Sequence, residues 1–141
     1  MNNVQQSIRD YINMLVNLQG DDKDNIYSRL QKDGQFFNVL KHRHSQYPLL
    51  KIGHCFYNAY RTMRQNQELE YAEGFAYSGV ITLHHAWNVD GNGNVIDTTW
   101  RNRGKYGKFS TGREYFGIII PRNELDDVLH ASGTYGYWKV L

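Results

Sequence analysis

HHAWNVDGNGNVIDTTW, residues 84 to 100, sets two runs of apolar, β-branched and aromatic residues on either side of a glycine- and asparagine-rich break. That pattern predicts two antiparallel strands joined by a short turn. Residues directly opposite in an antiparallel pair share a face, so His85 and Asp97 lie on one face only if paired position numbers sum to an even value. A loop of three or five residues meets the condition, whereas Asn92-Gly93 as a two-residue type I′ turn does not. A reading in which His85 and Asp97 cooperate therefore requires an odd loop, three residues with a glycine at a bulge. His84 then points to the opposite face.

Working outward, YAEGFAYS (71–78) and YFGIII (115–120) have the same strand character. Upstream the period changes to that of helices. Val4, Ile8, Tyr11, Ile12, Leu15 and Val16 recur at three- and four-residue steps up to Gly20, and a second helix is expected from an Asp21/Asp22 cap to Gly34. Residues 35–50 fit either a short helix or an extended connector that Pro48 closes. From Gly53 to about Gln67, Cys55, Phe56, Ala59, Tyr60 and Met63 form the apolar face of an amphipathic helix. A last helix is expected from an Asn123 cap to Ala131, and TYGYWKVL (134–141) as a final strand. The expectation is an α+β fold in a single domain, 1–141: N-terminal helices over 1–50, a cysteine helix and antiparallel β-sheet over 51–120, and a C-terminal helix and strand over 121–141.

Cys55 is the single cysteine. It can be an apolar filler, a metal ligand or a nucleophile. Thiol catalysis needs a thiolate, a base and a group that orients the base. Cys55 at a helix start, His85 on one strand and Asp97 on the next supply these in order. The Cys55 backbone N–H is one oxyanion donor, and Gln35, Gln46 or an indole N–H are candidates for another.

GHCFYNA, YAEGFA and HHAWNVDGNGNVIDTTW, in that order, resemble a compact version of the transglutaminase-like branch of the papain-like cysteine superfamily. They also resemble short bacterial and phage-type proteins with a C-x-x-N-A, Y-x-E-G, H-A-W-N, V-I-D-x-T-W pattern and a later YFGI. The resemblance covers about residues 50–120, with Thr98 where the family commonly has proline. It implies Cys55 as nucleophile, His85 as base and Asp97 as orienting acid, on a cysteine helix packed against an antiparallel sheet. Substrate class is not carried over, because 30 residues from Cys55 to His85 and 12 more to Asp97 leave little room for the loops of larger relatives.

Other residues have plainer readings. His42, His44, His54 and Cys55 follow no recognised zinc spacing, so no metal and no cofactor are expected. Asp90, Asn92 and Asn94 imitate a calcium loop, but Val95 stands where its glycine belongs and Arg101 where its glutamate does. Trp87 and Trp100 suit sheet packing, Asn58 a bond to backbone or to the YAEG strand, and Glu73 either packing or a nearby cation.

The net charge of +2 does not point to nucleic acid, yet acid-free basic blocks lie at 34–67 (Lys41, Arg43, Lys51, Arg61, Arg64) and at 98–113 (Arg101, Arg103, Lys105, Lys108, Arg113). If both ring one mouth, an anionic substrate or partner is expected. One cysteine, no signal-peptide pattern and no membrane-length apolar run lead us to expect a cytoplasmic protein. The functional expectation is a thiol-dependent acyl-transfer enzyme, an amide or peptide hydrolase or a transamidase, acting on a protein, peptide or small amide or ester. The alternative is a non-catalytic papain-like binding or inhibitor module for an anionic partner or nucleic acid.

Overall fold

The computed structural model describes residues 1–19, 25–41, 46–103 and 109–137, with backbone only for 102, 103, 109 and 110. Its elements in chain order are α1 (Asn3–Gln19), α2 (Ile26–Asp33), β1 (Gln35–Phe36), α3 (Cys55–Gln65), β2 (Glu70–Tyr77), β3 (Thr82–Val89), β4 (Val95–Ile96), β5 (Asn102–Arg103), β6 (Phe109–Ser110), β7 (Glu114–Ile120) and α4 (Arg122–Ser132). The fold is α+β. Five antiparallel strands make a sheet in the order β1-β7-β2-β3-β4, and β5 pairs with β6 apart from it.

The β3–β4 register settles the parity question. Val89 faces Val95 and Asn88 faces Ile96, an even sum. The Asp90 N–H donates to the Asn94 carbonyl, leaving Gly91 to Gly93 as a three-residue loop, and Gly93 takes φ 78°, a conformation that favours glycine. Asp90 Oδ1 accepts the Asn92 and Asn94 N–H groups, so the carboxylate that imitates a calcium ligand is holding a turn.

The sheet separates two cores. One face carries Tyr71, Phe75, Ala86, Phe116 and Ile118, packed against Ile8, Ile12, Ile26, Leu30 and Met63 of the helices and Leu125 of α4. The other buries Phe37, Ala72, Ala76, Trp87, Val89, Val95 and Tyr115. Enclosing this second core requires the sheet to bend back on itself. Beyond β1, Asn38 bridges Asn94, with the Asn38 N–H donating to Gly93 and the Val95 N–H to Asn38. The segment after β1 thus links the β7 side of the sheet to the β3–β4 hairpin. Small residues permit the approach: a Cβ at Gly117 would lie 2.6 Å from the Glu73 carbonyl oxygen and 2.7 Å from the Trp87 ring.

Residues 35–38 take the extended one of their two readings, because β7 and Asn94 offer their backbones to pair with. Several expectations are corrected. NVIDTTW is a strand only at Val95–Ile96; Asp97 Oδ1 then accepts the Thr99 and Trp100 N–H groups and turns the chain off the ladder. Residues 134–137 of the expected last strand form no strand, and 138–141 lie outside the described residues, as do Asp21 and Asp22. α2 starts after Asn25, whose side chain caps the Ser28 N–H. α3 starts at Cys55 rather than Gly53, which occupies a turn at φ 86°, and α4 starts after Pro121 rather than at an Asn123 cap. Among the described residues no helix is long and apolar enough to cross a membrane.

Because the obstacles to a side chain at Gly117 are backbone and a buried indole, Gly117→Ala is expected to cost about 2 kcal/mol or more. Gly91→Ala, which meets nothing within 4 Å, is expected to be close to neutral. Urea unfolding midpoints of the two variants check the contrast.

Candidate active site

His85 and Asp97 share the second face, and both residues are almost fully buried, at 1 % and 2 % exposed. His85 Nε2 lies 2.8 Å from Asp97 Oδ2. The other side of the ring faces Cys55, close enough for the thiol to act on the charge of the imidazole. With Nε2 taken by Asp97, Nδ1 is the nitrogen left for the sulfur. Cys55 is half-buried, so the row runs inward from sulfur to imidazole to carboxylate.

Three ties hold the start of α3 against the turn that carries Asp97. The Leu50 N–H donates to the Thr98 carbonyl at 2.8 Å. Asn58 Nδ2, buried one turn into α3, donates to the Lys51 carbonyl and to Thr99 Oγ1, both at 2.8 Å. Arg101 donates from Nη2 to the Leu50 carbonyl and from Nε to the Thr99 carbonyl. Asn58 therefore binds backbone and Thr99, not the YAEG strand, and Arg101 straps the chain.

Asp97 has a full set of donors. Oδ1 takes the Thr99 and Trp100 N–H groups, and Oδ2 takes His85 and the Tyr115 hydroxyl at 2.6 Å. The Gly112 N–H in turn donates to that hydroxyl at 2.8 Å. Burial and then the Asp97 charge push Tyr115 well above its usual 10.0, so it stays a phenol and keeps donating. Trp100 stacks on His85 with centroids 4.0 Å apart and planes at 25°. Sequence reasoning missed both roles. Trp87 does pack in the sheet, edge-on to Tyr115 and Phe37, and its buried N–H finds no hydrogen-bond partner among the described residues.

Of the other candidates, Gln35 lies on β1, at the far side of the sheet order from β3. His84 takes the opposite face, 3.0 Å from Glu73 Oε2 and stacked on Phe75. Glu73, fully buried, also accepts the Tyr71 hydroxyl and the Tyr137 N–H. His42, His44, Arg43, Lys105 and Lys108 lie outside the described residues, as does the side chain of Arg103. Among the described residues no group of three His, Cys, Asp or Glu could hold a metal ion. A groove of about 390 Å³ beside Cys55 is lined by Gly53, His54, Phe56, Tyr57, Thr134 and Tyr135.

No family model, curated protein or solved structure matches this chain. The chemistry of the row has to be argued from its own atoms.

Burial alone pulls the His85 imidazolium down. The Asp97 charge and hydrogen bond, joined by Cys55, outweigh it and lift the group from 6.5 to about 9. Burial likewise raises Asp97, but His85, the Tyr115 hydroxyl and the Trp100 N–H hold the carboxyl below its ordinary 3.8. At neutral pH the pair is imidazolium and carboxylate, with the His85 N–H groups aimed at Asp97 and Cys55.

The sign for stability follows by linkage. The raised imidazolium stabilises the fold fully below pH 6.5, and that contribution is lost as pH rises through about 9. The lowered carboxyl contributes above pH 3.8 and loses its contribution as pH falls through its folded value. The urea midpoint of the native protein, minus that of His85→Gln, is therefore expected to shrink between pH 6.5 and 9. A difference that stays flat across that window would contradict the assignment.

Proposed function

We propose that the protein is a thiol-dependent acyl-transfer enzyme, a cysteine hydrolase or acyltransferase, in which Cys55 is the nucleophile, His85 the base and acid, and Asp97 the orienting group. One observation carries the reading: a single buried imidazole bridges a partly exposed thiol and a fully satisfied carboxylate. The N-terminus of α3 favours the negative charge that sulfur carries during attack.

Cys55 Sγ attacks the carbonyl carbon of an amide or ester, and the C=O pair moves to oxygen. As the tetrahedral centre collapses, the C–N or C–O bond breaks and the His85 Nδ1 proton goes to the departing atom. A thioester on Cys55 and a neutral His85 remain. Water or an amine then attacks the thioester while giving its proton to Nδ1, and the C–S bond breaks to restore the thiolate–imidazolium pair. Asp97 does not take the proton; fixed by its other donors, it keeps Nε2–H in place and the charged ring favourable. With water as acceptor the enzyme is an amidase or peptidase, with an amine a transamidase.

The order of Cys55, His85 and Asp97, with the cysteine at a helix start and the other two on a hairpin, also suits a compact transglutaminase-like member of the papain-like superfamily. Thr98 in place of proline is compatible, since the turn after Asp97 is made by its own carboxylate. The half-exposed sulfur beside His85 favours catalysis over a non-catalytic binding or inhibitor module.

Alkylation by iodoacetamide at pH 6 is the direct test. Cys55 is expected to react rapidly, His85→Ala to slow the reaction about tenfold or more, and Asp97→Asn to slow it in the same direction. Slow reaction of the native protein, unchanged by His85→Ala, would remove the basis of the proposal.

A further inference from the structure

A second groove lies along Trp100, the ring that stacks on His85. Its volume is about 260 Å³, and it is lined by Ile52, Ser78, Ile81, Leu83, Thr99, Trp100 and Arg101. Its rim is apolar and open to water: Ile52 is 68 % exposed, Ile81 51 % and Leu83 46 %, with Val80 at 85 % on the same β2–β3 turn. Aliphatic side chains gathered at one rim gain when an apolar group covers them. The apolar surface leads to the reacting atoms, because Trp100 both lines the groove and stacks on His85. The end of β3 that borders it has no strand neighbour on that side among the described residues, since β4 pairs only with Asn88 and Val89.

The charge around the groove narrows what it takes. Among the described residues no carboxylate lines it, so a cationic group meets Arg101 instead. Arg101 in turn spends Nε and Nη2 on the Thr99 and Leu50 carbonyls, which weakens it as a receptor for an anion. An uncharged apolar group fits.

Which half of the substrate lies here follows from the proton. In acyl transfer through Cys55 the departing atom must receive its proton from His85, and the incoming acceptor must later give one to it. Both therefore approach from the side of the imidazole. The groove along Gly53, Tyr57 and Tyr135, at the start of α3, is left for the acyl half. Resting on the acyl-transfer reading, we propose that the Ile52–Ile81–Leu83–Trp100 groove is the leaving-group and acceptor subsite, and that it selects scissile amides or esters, and acceptor amines, bearing an aliphatic or aromatic group. The C–N or C–O bond that breaks has its apolar substituent in this groove, and the S–C bond forms on the opposite side.

The test uses 4-nitrophenyl acetate as a small acyl donor, with leucinamide and glycinamide as competing acceptors. A burst of nitrophenolate that Cys55→Ser lacks reports the acetyl thioester. The yield of N-acetyl product from each amine, corrected with the Cys55→Ser protein, reports the groove. Leucinamide is expected to intercept the thioester about tenfold better than glycinamide. The neutral substitutions Leu83→Gln and Ile81→Asn, at half-exposed positions, are expected to bring that ratio towards one. A burst with a ratio near one in the native protein, or a ratio that survives both substitutions, overturns the subsite and leaves the acyl-transfer reading standing. Absence of the burst overturns both.

Discussion

A carboxylate removed from water is tolerable only when its charge is balanced and its oxygens are satisfied, and Asp97 meets both conditions with four donors. Much of the structure around the second core follows from supplying them. Two donors are the N–H groups of the next residues, which forces the chain off the β4 ladder as soon as Asp97 has been delivered. The third is His85, which fixes the hairpin parity. The fourth is the Tyr115 hydroxyl, which requires β7 to lie where its first buried ring reaches across the second face. Remove the carboxylate and the turn, the histidine and the tyrosine each lose a reason for their position.

The hairpin was legible in sequence because the constraint on it is local and discrete. Only an odd loop lets His85 and Asp97 meet, and the Asp90–Asn94 turn supplies one. The helices over the first face were legible for the same kind of reason, since Ile8, Ile12, Ile26 and Leu30 keep helical spacing and all are buried. Tyr115 was not, because nothing near YFGIII refers to position 97; the contact is made by the strand order, in which β7 lies two places from β3. Trp100 was read as a strand residue, and its stacking on His85 depends on the turn that ended the strand early. The extension of residues 35–38 depends on partners at 93–95 and 115–117, and no pattern within the segment itself could distinguish it from a short helix.

Two adjacent histidines illustrate how far a strand separates environments. His85 enters the second core with Asp97, while His84 enters the helical side with Glu73, Phe56 and Phe75. Each has a carboxylate partner, and the two pairs serve different halves of the molecule. Glu73 draws in the chain that follows α4 through the Tyr137 N–H, and Tyr137 in turn reaches Glu124, which pairs with Arg29. That arrangement fastens the segment carrying Tyr135, one wall of the groove beside Cys55, to the body of the sheet.

The start of α3 has a cost that α2 avoids. α2 opens with Asn25, whose side chain satisfies the Ser28 N–H, whereas α3 opens after His54, which makes no side-chain cap. A helix without such a cap gives up about 1 kcal/mol. Serine or aspartate at position 54 would supply a cap, and its oxygen would compete with the Cys55 sulfur for the positive end of the helix. At this one position the stability of the helix and the charge on the neighbouring sulfur make opposed demands.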